Sequence, residues 1–233
     1  MSLDSARGGT GAWPVRPGSL VPPVLLTFDV LGTIVNWRSG LEEALGRSRA
    51  AVPAAIEFDA VIDAQAAAEA GPFRPYREIV VLSLVQVAGL DAGAAALVAD
   101  GIGRWPLFAD SRPGLARLLR VASCVAMTNS DREHGTAIQD RLGFRLTNWI
   151  AAEEVRVYKP APAFWHAAAA RLGTPFGPAW WHVSAYGDYD LETAGRLGLT
   201  RVFVRRAHAR SSPAEVIVAD LEELATLVER LRA

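Results

Sequence analysis

A single cysteine, Cys124, stands in 233 residues, so no disulfide can form within the chain. It sits in the apolar run 121–127, where a free thiol behaves as a small buried hydrophobe. The lack of a disulfide framework suits a reducing compartment, and a cytoplasmic protein is expected. A net charge of −1 removes the electrostatic footprint of nucleic-acid binding. No apolar run reaches the roughly 20 residues of a membrane span, and the first residues lack the basic start and apolar core of a signal peptide. Internal repeats are missing. So is metal-ligand spacing, and His134, His166, His182 and His208 read as scattered surface or core histidines. Lysine is nearly missing too, since the 24 basic residues are 23 arginines and Lys159. Either a compact ammonium is required at that one place, or its survival there is chance.

What remains is a globular composition, 51% apolar and 21% charged, long enough for one large domain or a domain with an insert. Residues 24–33 organise it. They form an apolar run that ends in the carboxylate of Asp29 and turns at Gly32. Bounded by Pro22–Pro23 and Gly32, the run reads as a strand buried on both faces. A carboxylate at such a strand tip is costly without partners or a task. Strand tips are also where open parallel sheets bind ligands. Asp29 is therefore either a candidate for chemistry or the cap of the following turn.

Residues 1–22, rich in Gly, Pro, Ser and Arg, are expected to be a disordered arm. Helical patterning fills 37–109, with stretches at 41–45, 58–70, 78–87 and 92–102 that stop at glycines or Gly71–Pro72. Four helices directly after the first strand suggest a separate helical cap. From 110 onward strands (121–128, 149–152, 180–184, 201–204 and 216–218) alternate with helices ended by glycine. The expected fold is α/β, a doubly wound Rossmann-like parallel sheet with an inserted all-helical cap. Residues 23–36 and 110–233 would form the core and 37–109 the cap.

The later strands end in polar residues, and strand ends in such a sheet share one edge. Thr128-Asn129-Ser130, Tyr158-Lys159-Pro160 and Gly187-Asp188-Tyr189-Asp190 should therefore converge on Asp29. In that crevice Asp29 would attack an electrophile. Groups near Thr128 and Asn129 would bind a negative charge, and Lys159 would keep Asp29 ionised. Asp190 or Asp188 would orient Lys159, hold a cation or help activate water. Two bland roles compete: Thr128 bonding its own backbone, and one of the two aspartates capping a helix at 191.

These stretches, with Phe28-Asp29-Val30-Leu31-Gly32-Thr33, resemble the four motifs of the haloacid dehalogenase-like hydrolases, in order and over roughly residues 24–220. The resemblance implies that Asp29 is a nucleophile forming an aspartyl ester, with Thr128 and Lys159 completing an anionic site and Asp190 beside them. Phosphatases of this pattern carry an acid two residues after the nucleophile, where this chain has Leu31. That change is similar to the 2-haloacid dehalogenases, which need no metal. A small anionic substrate is then expected, with Leu31, Thr33, Asn129 and Trp37 around it and Trp165 where those enzymes tend to carry a tyrosine. The resemblance also implies a cap arginine for the leaving halide. None lies in 60–65, so Arg38, Arg74 and Arg77 are the substitutes, unless the latter two form cap-to-core ion pairs. The alternatives are a phosphatase holding Mg²⁺ on Asp29, Asp188 and Asp190, and a binding protein that kept the fold without turnover. Partners are expected to be a small molecule and a second copy in a homodimer, with no nucleic acid and no membrane.

Overall fold

The computed structural model describes residues 20–47 and 57–233. Most of the expected N-terminal arm lies outside the described residues. Strand β1 (Leu25–Phe28) is fully buried, as an apolar run between prolines and glycine requires. The chain then passes through α1 (Trp37–Arg47), α2 (Phe58–Glu69), α3 (Tyr76–Ala88) and α4 (Ala92–Ala99). After α5 (Ser111–Leu118) come β2 (Ser123–Thr128), α6 (Arg132–Leu142), β3 (Asn148–Ala151), the short α7 (Ala152–Val155) and α8 (Pro162–Leu172). The rest is β4 (Trp180–Ser184), α9 (Glu192–Arg196), β5 (Thr200–Val204), β6 (Val216–Val218) and α10 (Leu221–Arg232).

All six strands are parallel, in the order β3-β2-β1-β4-β5-β6. The strand order reverses direction beside β1, which places a crevice at the carboxyl ends of β1 and β4. The expected doubly wound sheet and helical cap are both present. Two boundaries differ from the sequence reading. The helix expected at 92–102 stops at Ala99, and a 3-10 turn (Ile102–Arg104) follows Gly101. The stretch Gly187–Leu191, expected to be a loop, is a single wide π-helical turn running into α9.

Two backbone runs join the helices to the sheet, and they pair with each other. Asn36 N donates to the Pro106 carbonyl and Phe108 N to that of Ile34. Beneath them the Arg206 guanidinium grips Asp110 through both oxygens (2.8 and 2.9 Å) and donates to the Thr33 carbonyl at 2.7 Å. A fork-on-carboxylate pair of this kind fixes direction as well as distance. The cap is tied to the core a second time. Asp131, after β2, accepts from the first free N–H groups of α3, Tyr76 at 2.8 Å and Arg77 at 2.9 Å. It serves α3 as an N-cap borrowed from another part of the chain.

Candidate active site

Asp29 lies one residue past β1 and is 8% exposed. Its Oδ1 accepts from Lys159 Nζ at 3.0 Å and its Oδ2 from Thr33 Oγ1 at 2.8 Å. Lys159 is 1% exposed, and its ammonium also meets Asp190 Oδ1 at 2.8 Å. A buried ammonium between two buried carboxylates is compensated only by that geometry. The sole lysine therefore sits at the centre of the site. Burial alone would lower its pKa, but Asp190 and Asp29 together raise it. Asp29 is pushed up from its ordinary value by burial and by Asp190, against the pull of Lys159 and Thr33. Burial also works against the ionised form of Asp190, yet Lys159 and His182 hold its carboxyl well below the usual range.

Local structure explains these positions. Gly32 turns with φ +100°, in the region that favours glycine, and a Cβ there would fall 2.3 Å from the Tyr186 ring. The turn brings Thr33 back under Asp29, where its hydroxyl also accepts from Ala185 N at 3.0 Å. Asn129, at the end of β2, holds the lysine segment from both sides. It accepts from Lys159 N at 2.8 Å and donates to the Lys159 carbonyl at 2.9 Å. The peptide between Lys159 and Pro160 is cis. Thr128 lines the cavity, but its hydroxyl also follows the bland reading, accepting from Ser130 N at 3.2 Å.

Behind Asp190 stands a support that the sequence does not announce. Ser184 donates to its Oδ2 at 2.7 Å, and His182 Nε2 lies 3.5 Å from its Oδ1. His182 Nδ1 is 2.8 Å from Thr27 Oγ1, which accepts from Trp180 Nε1 at 2.8 Å. Burial holds His182 below its ordinary value, so it is neutral. Nδ1 faces the Thr27 hydroxyl and Nε2 faces Asp190, so a ring hydrogen on Nε2 would point at that carboxylate. His182 is thus part of the site's foundation, although no ligand spacing betrays it.

The cavity in front of Asp29 opens between sheet edge and cap. Asp29, Leu31, Trp37, Thr128, Asn129, Lys159 and Asp190 line it, as expected for the site. Several expected residues lie elsewhere. The Arg77 guanidinium pairs with Asp100 on the cap's outer side, and Arg74 is exposed with only its carbonyl engaged, by the Tyr158 hydroxyl. Arg38 lies over the Phe58 ring at 4.7 Å, with Asp59 at 3.8 Å. None of these three arginines lines the cavity. Trp165 is wholly buried and packs edge-on against His182 at 4.5 Å, so it backs the site without lining it. The π-turn rotates Asp188 outward onto Arg210 (3.3 Å) while returning Asp190 inward.

That turn also decides how a magnesium ion would fare. Of the three proposed ligands, Asp188 faces away, and Asp190 is engaged by Lys159, His182 and Ser184. Among the described residues no three His, Cys, Asp or Glu side chains gather to hold a metal. The donor set does not fit the ion.

Sequence reasoning missed part of the lining. Gln65 and Glu69 of α2, Tyr76 of α3 and Trp105 line the cavity from the cap, and Tyr186 and Tyr189 line it from the stretch after β4. Asn129 Nδ2 donates to Glu69 Oε2 at 3.0 Å, so the cap's acid meets the core directly.

No protein-family model and no curated protein sequence matches the chain. Solved structures do. An L-2-haloacid dehalogenase superposes with a TM-score of 0.76 at 21% identity, over 89% of this chain and 99% of that one. The L-2-haloacid dehalogenase of Xanthobacter autotrophicus gives 0.77 at 18% identity, over 89% and 98%. This chain has the haloacid dehalogenase fold. A magnesium-bound protein of Bacillus subtilis, described as a putative HAD-hydrolase, gives 0.75 at 14% identity over 90% and 100%. Within the haloacid dehalogenase fold, the arrangement around Asp29 and Lys159 is what this chain adds on its own evidence.

Proposed function

We propose that the chain is a hydrolase that works through an ester on Asp29, displacing a leaving group from carbon as the 2-haloacid dehalogenases do. The observation that carries this reading is the nucleophile's surroundings. Asp29 accepts from Lys159 at 3.0 Å, lines the cavity, and has Leu31 where a proton donor for a phosphate ester's leaving group would stand. An Asp29 oxygen attacks the substrate carbon and the halide leaves with the bonding pair. Water then attacks the ester carbonyl, the alcohol departs, and the carboxylate is restored as a proton passes to solvent. Lys159 opposes charge build-up at the ester carbonyl throughout.

The test is single turnover in ¹⁸O-water with short halogenated substrates, followed by mass spectrometry of the peptide carrying Asp29. Label in Asp29, with halide release that survives EDTA and disappears in Asp29→Asn, is the expected result. Phosphate release from ester substrates that depends on added Mg²⁺ would replace this reading with the phosphatase one. Absence of both, with ligand binding intact in Asp29→Asn, would leave a binding protein on the same fold.

A further inference from the structure

Among the described residues, α2 and α3 of the cap are held to the sheet by ties of different kinds. The first N–H groups of α3 are held by the buried Asp131, at 2.8 and 2.9 Å. The end of α2 is held at Glu69, which accepts from Asn129 at 3.0 Å. The first half of α2 is held by charge alone, and the charge is Arg210. Its guanidinium meets Asp63 at 2.9 Å and Asp59 at 3.3 Å, and it donates to the Asp59 carbonyl at 3.3 Å. It also meets Asp188 of the π-turn at 3.3 Å. Asp59 lies 3.8 Å from Arg38 as well.

The backbone of Arg210 is fixed on both sides. Its N–H donates to the Ala185 carbonyl at 3.0 Å, and its carbonyl accepts from Gly187 N at 2.6 Å. The approach is so close that a Cβ on Gly187 would fall 2.4 Å from the Ser212 side chain. Tyr186, between those two partners, lines the cavity. Arg210 thus reaches from the stretch after β4 to the helix that gives the cavity Val61, Ile62, Gln65 and Glu69.

Solvent governs the strength of this tie. Arg210 keeps 24% of its side-chain surface, and Asp59 and Asp63 keep 66% and 67%. Exposed pairs are individually weak and are screened by salt, which acts far less on buried bonds. Arg206, four residues earlier, makes the contrast, since its buried side chain grips Asp110 through both oxygens. Added salt therefore weakens the hold on the first half of α2 more than the hold on α3.

We propose that Arg210 is a positioning residue, a charge clamp that closes the first half of α2 over the cavity, and that small molecules enter on this side. The clamp rests on the Asp29 reading only where the molecule that enters is called a substrate.

The test is deuterium uptake by the intact protein, read peptide by peptide, at about 0.1 M and about 1 M NaCl, between which the screening length falls from about 10 Å to about 3 Å. In wild type the amides of residues 62–66 should exchange about fivefold faster at the higher salt, the scale of one strong exposed pair. Arg210→Gln should exchange at that faster rate already at low salt and respond little to more. Asp63→Asn added to Arg210→Gln should change nothing further, because the two side chains act through one contact. Amides of β2 and α10 are the reference and should not move. Protection of 62–66 that is equal in Arg210→Gln and wild type overturns the proposal. So does faster exchange spread evenly over β2 and α10, which would be a loss of global stability. Halide release from 2-chloropropionate runs alongside, and Arg210→Gln should raise KM about fivefold while kcat changes by about twofold or less. A fall in kcat at unchanged KM would place Arg210 in the chemistry and overturn the clamp. If wild type releases no halide, the Asp29 reading fails and the exchange measurements still decide the clamp.

Discussion

The two walls of the cavity are built on opposite principles. On the sheet side nearly every polar atom has a fixed partner. Asp29, Thr33, Lys159, Asp190, Ser184, His182 and Thr27 form one buried chain with links of 2.7–3.5 Å. On the cap side the wall is mostly apolar, and its polar groups have fewer partners. Gln65 accepts from the Tyr76 hydroxyl at 3.0 Å and donates to Ser83 at 3.4 Å, and among the described residues Glu69 accepts from Asn129 alone. Rigid, over-determined groups are what a reacting centre needs, because geometry there must not drift. Loosely held donors on an apolar wall suit recognition. On the proposed reading, chemistry belongs to the sheet and selection to the cap.

The sharpest way to break that division is at the nucleophile. Asp29→Asn should reduce halide release by on the order of 10⁴-fold or more. If Asp29→Asn turned over normally, the sheet wall would not be the chemical one. Next comes Lys159→Met, which leaves two buried carboxylates facing each other without their cation. Removing one partner of a buried ionic network costs about 3–5 kcal/mol, read by urea unfolding. A variant as stable as wild type would show that the sheet network is not over-determined. Asp131→Ala tests the seam between the walls. Losing the borrowed cap of α3 should cost about 1 kcal/mol and raise KM more than it lowers kcat. An unchanged KM would mean that the cap keeps its place without Asp131.

How much of this was legible depends on which wall is asked. The parallel sheet, the buried β1 and the meeting of Asp29, Thr128, Lys159 and Asp190 were legible, because strand ends of one parallel sheet share an edge by construction. The same logic put Asp188 in the site wrongly, because a π-helical turn sends consecutive residues to directions a loop reading does not foresee. Arg38, Arg74 and Arg77 were sought because the resemblance implies a cap arginine, yet none of them lines the cavity. Glu69 was invisible for the opposite reason. It sits at the end of an alanine-rich helix where an acid usually faces water, and only the docking of α2 against Asn129 turns it inward. Packing between helices, unlike strand order, leaves no periodic trace of partner or angle. His182 differs again. It lies on a strand face whose neighbours Trp165 and Thr27 come from far along the chain.

A smaller effect probes the tuning of the nucleophile. Thr33 donates to Asp29 Oδ2 and so favours the ionised form, while burial, the largest influence, opposes it. Thr33→Val removes the donor and keeps the shape, so the Asp29 pKa must rise further. The reaction needs the carboxylate, and the acid limb of kcat/KM should therefore move to higher pH. A limb that stays put would mean that Lys159 alone sets the ionisation.

The smallest expected change is a shift in stability with pH from the cap wall, and its sign distinguishes a neutral Glu69 from an ionised one. The folded carboxyl sits above its ordinary value of 4.5, chiefly through burial, so between that value and its folded value the native state binds more protons than the unfolded chain. Stability therefore falls as pH rises through that window. Glu69→Gln has no such titration and keeps the bond from Asn129 through its carbonyl oxygen. The variant's Tm should match wild type near pH 4.5 and exceed it increasingly toward pH 7. A Glu69 whose folded value lay below 4.5 would instead let wild type gain on the variant as pH rises toward 4.5, with no further change above it. A difference flat both below and above 4.5 would mean that Glu69 is solvated in the folded state.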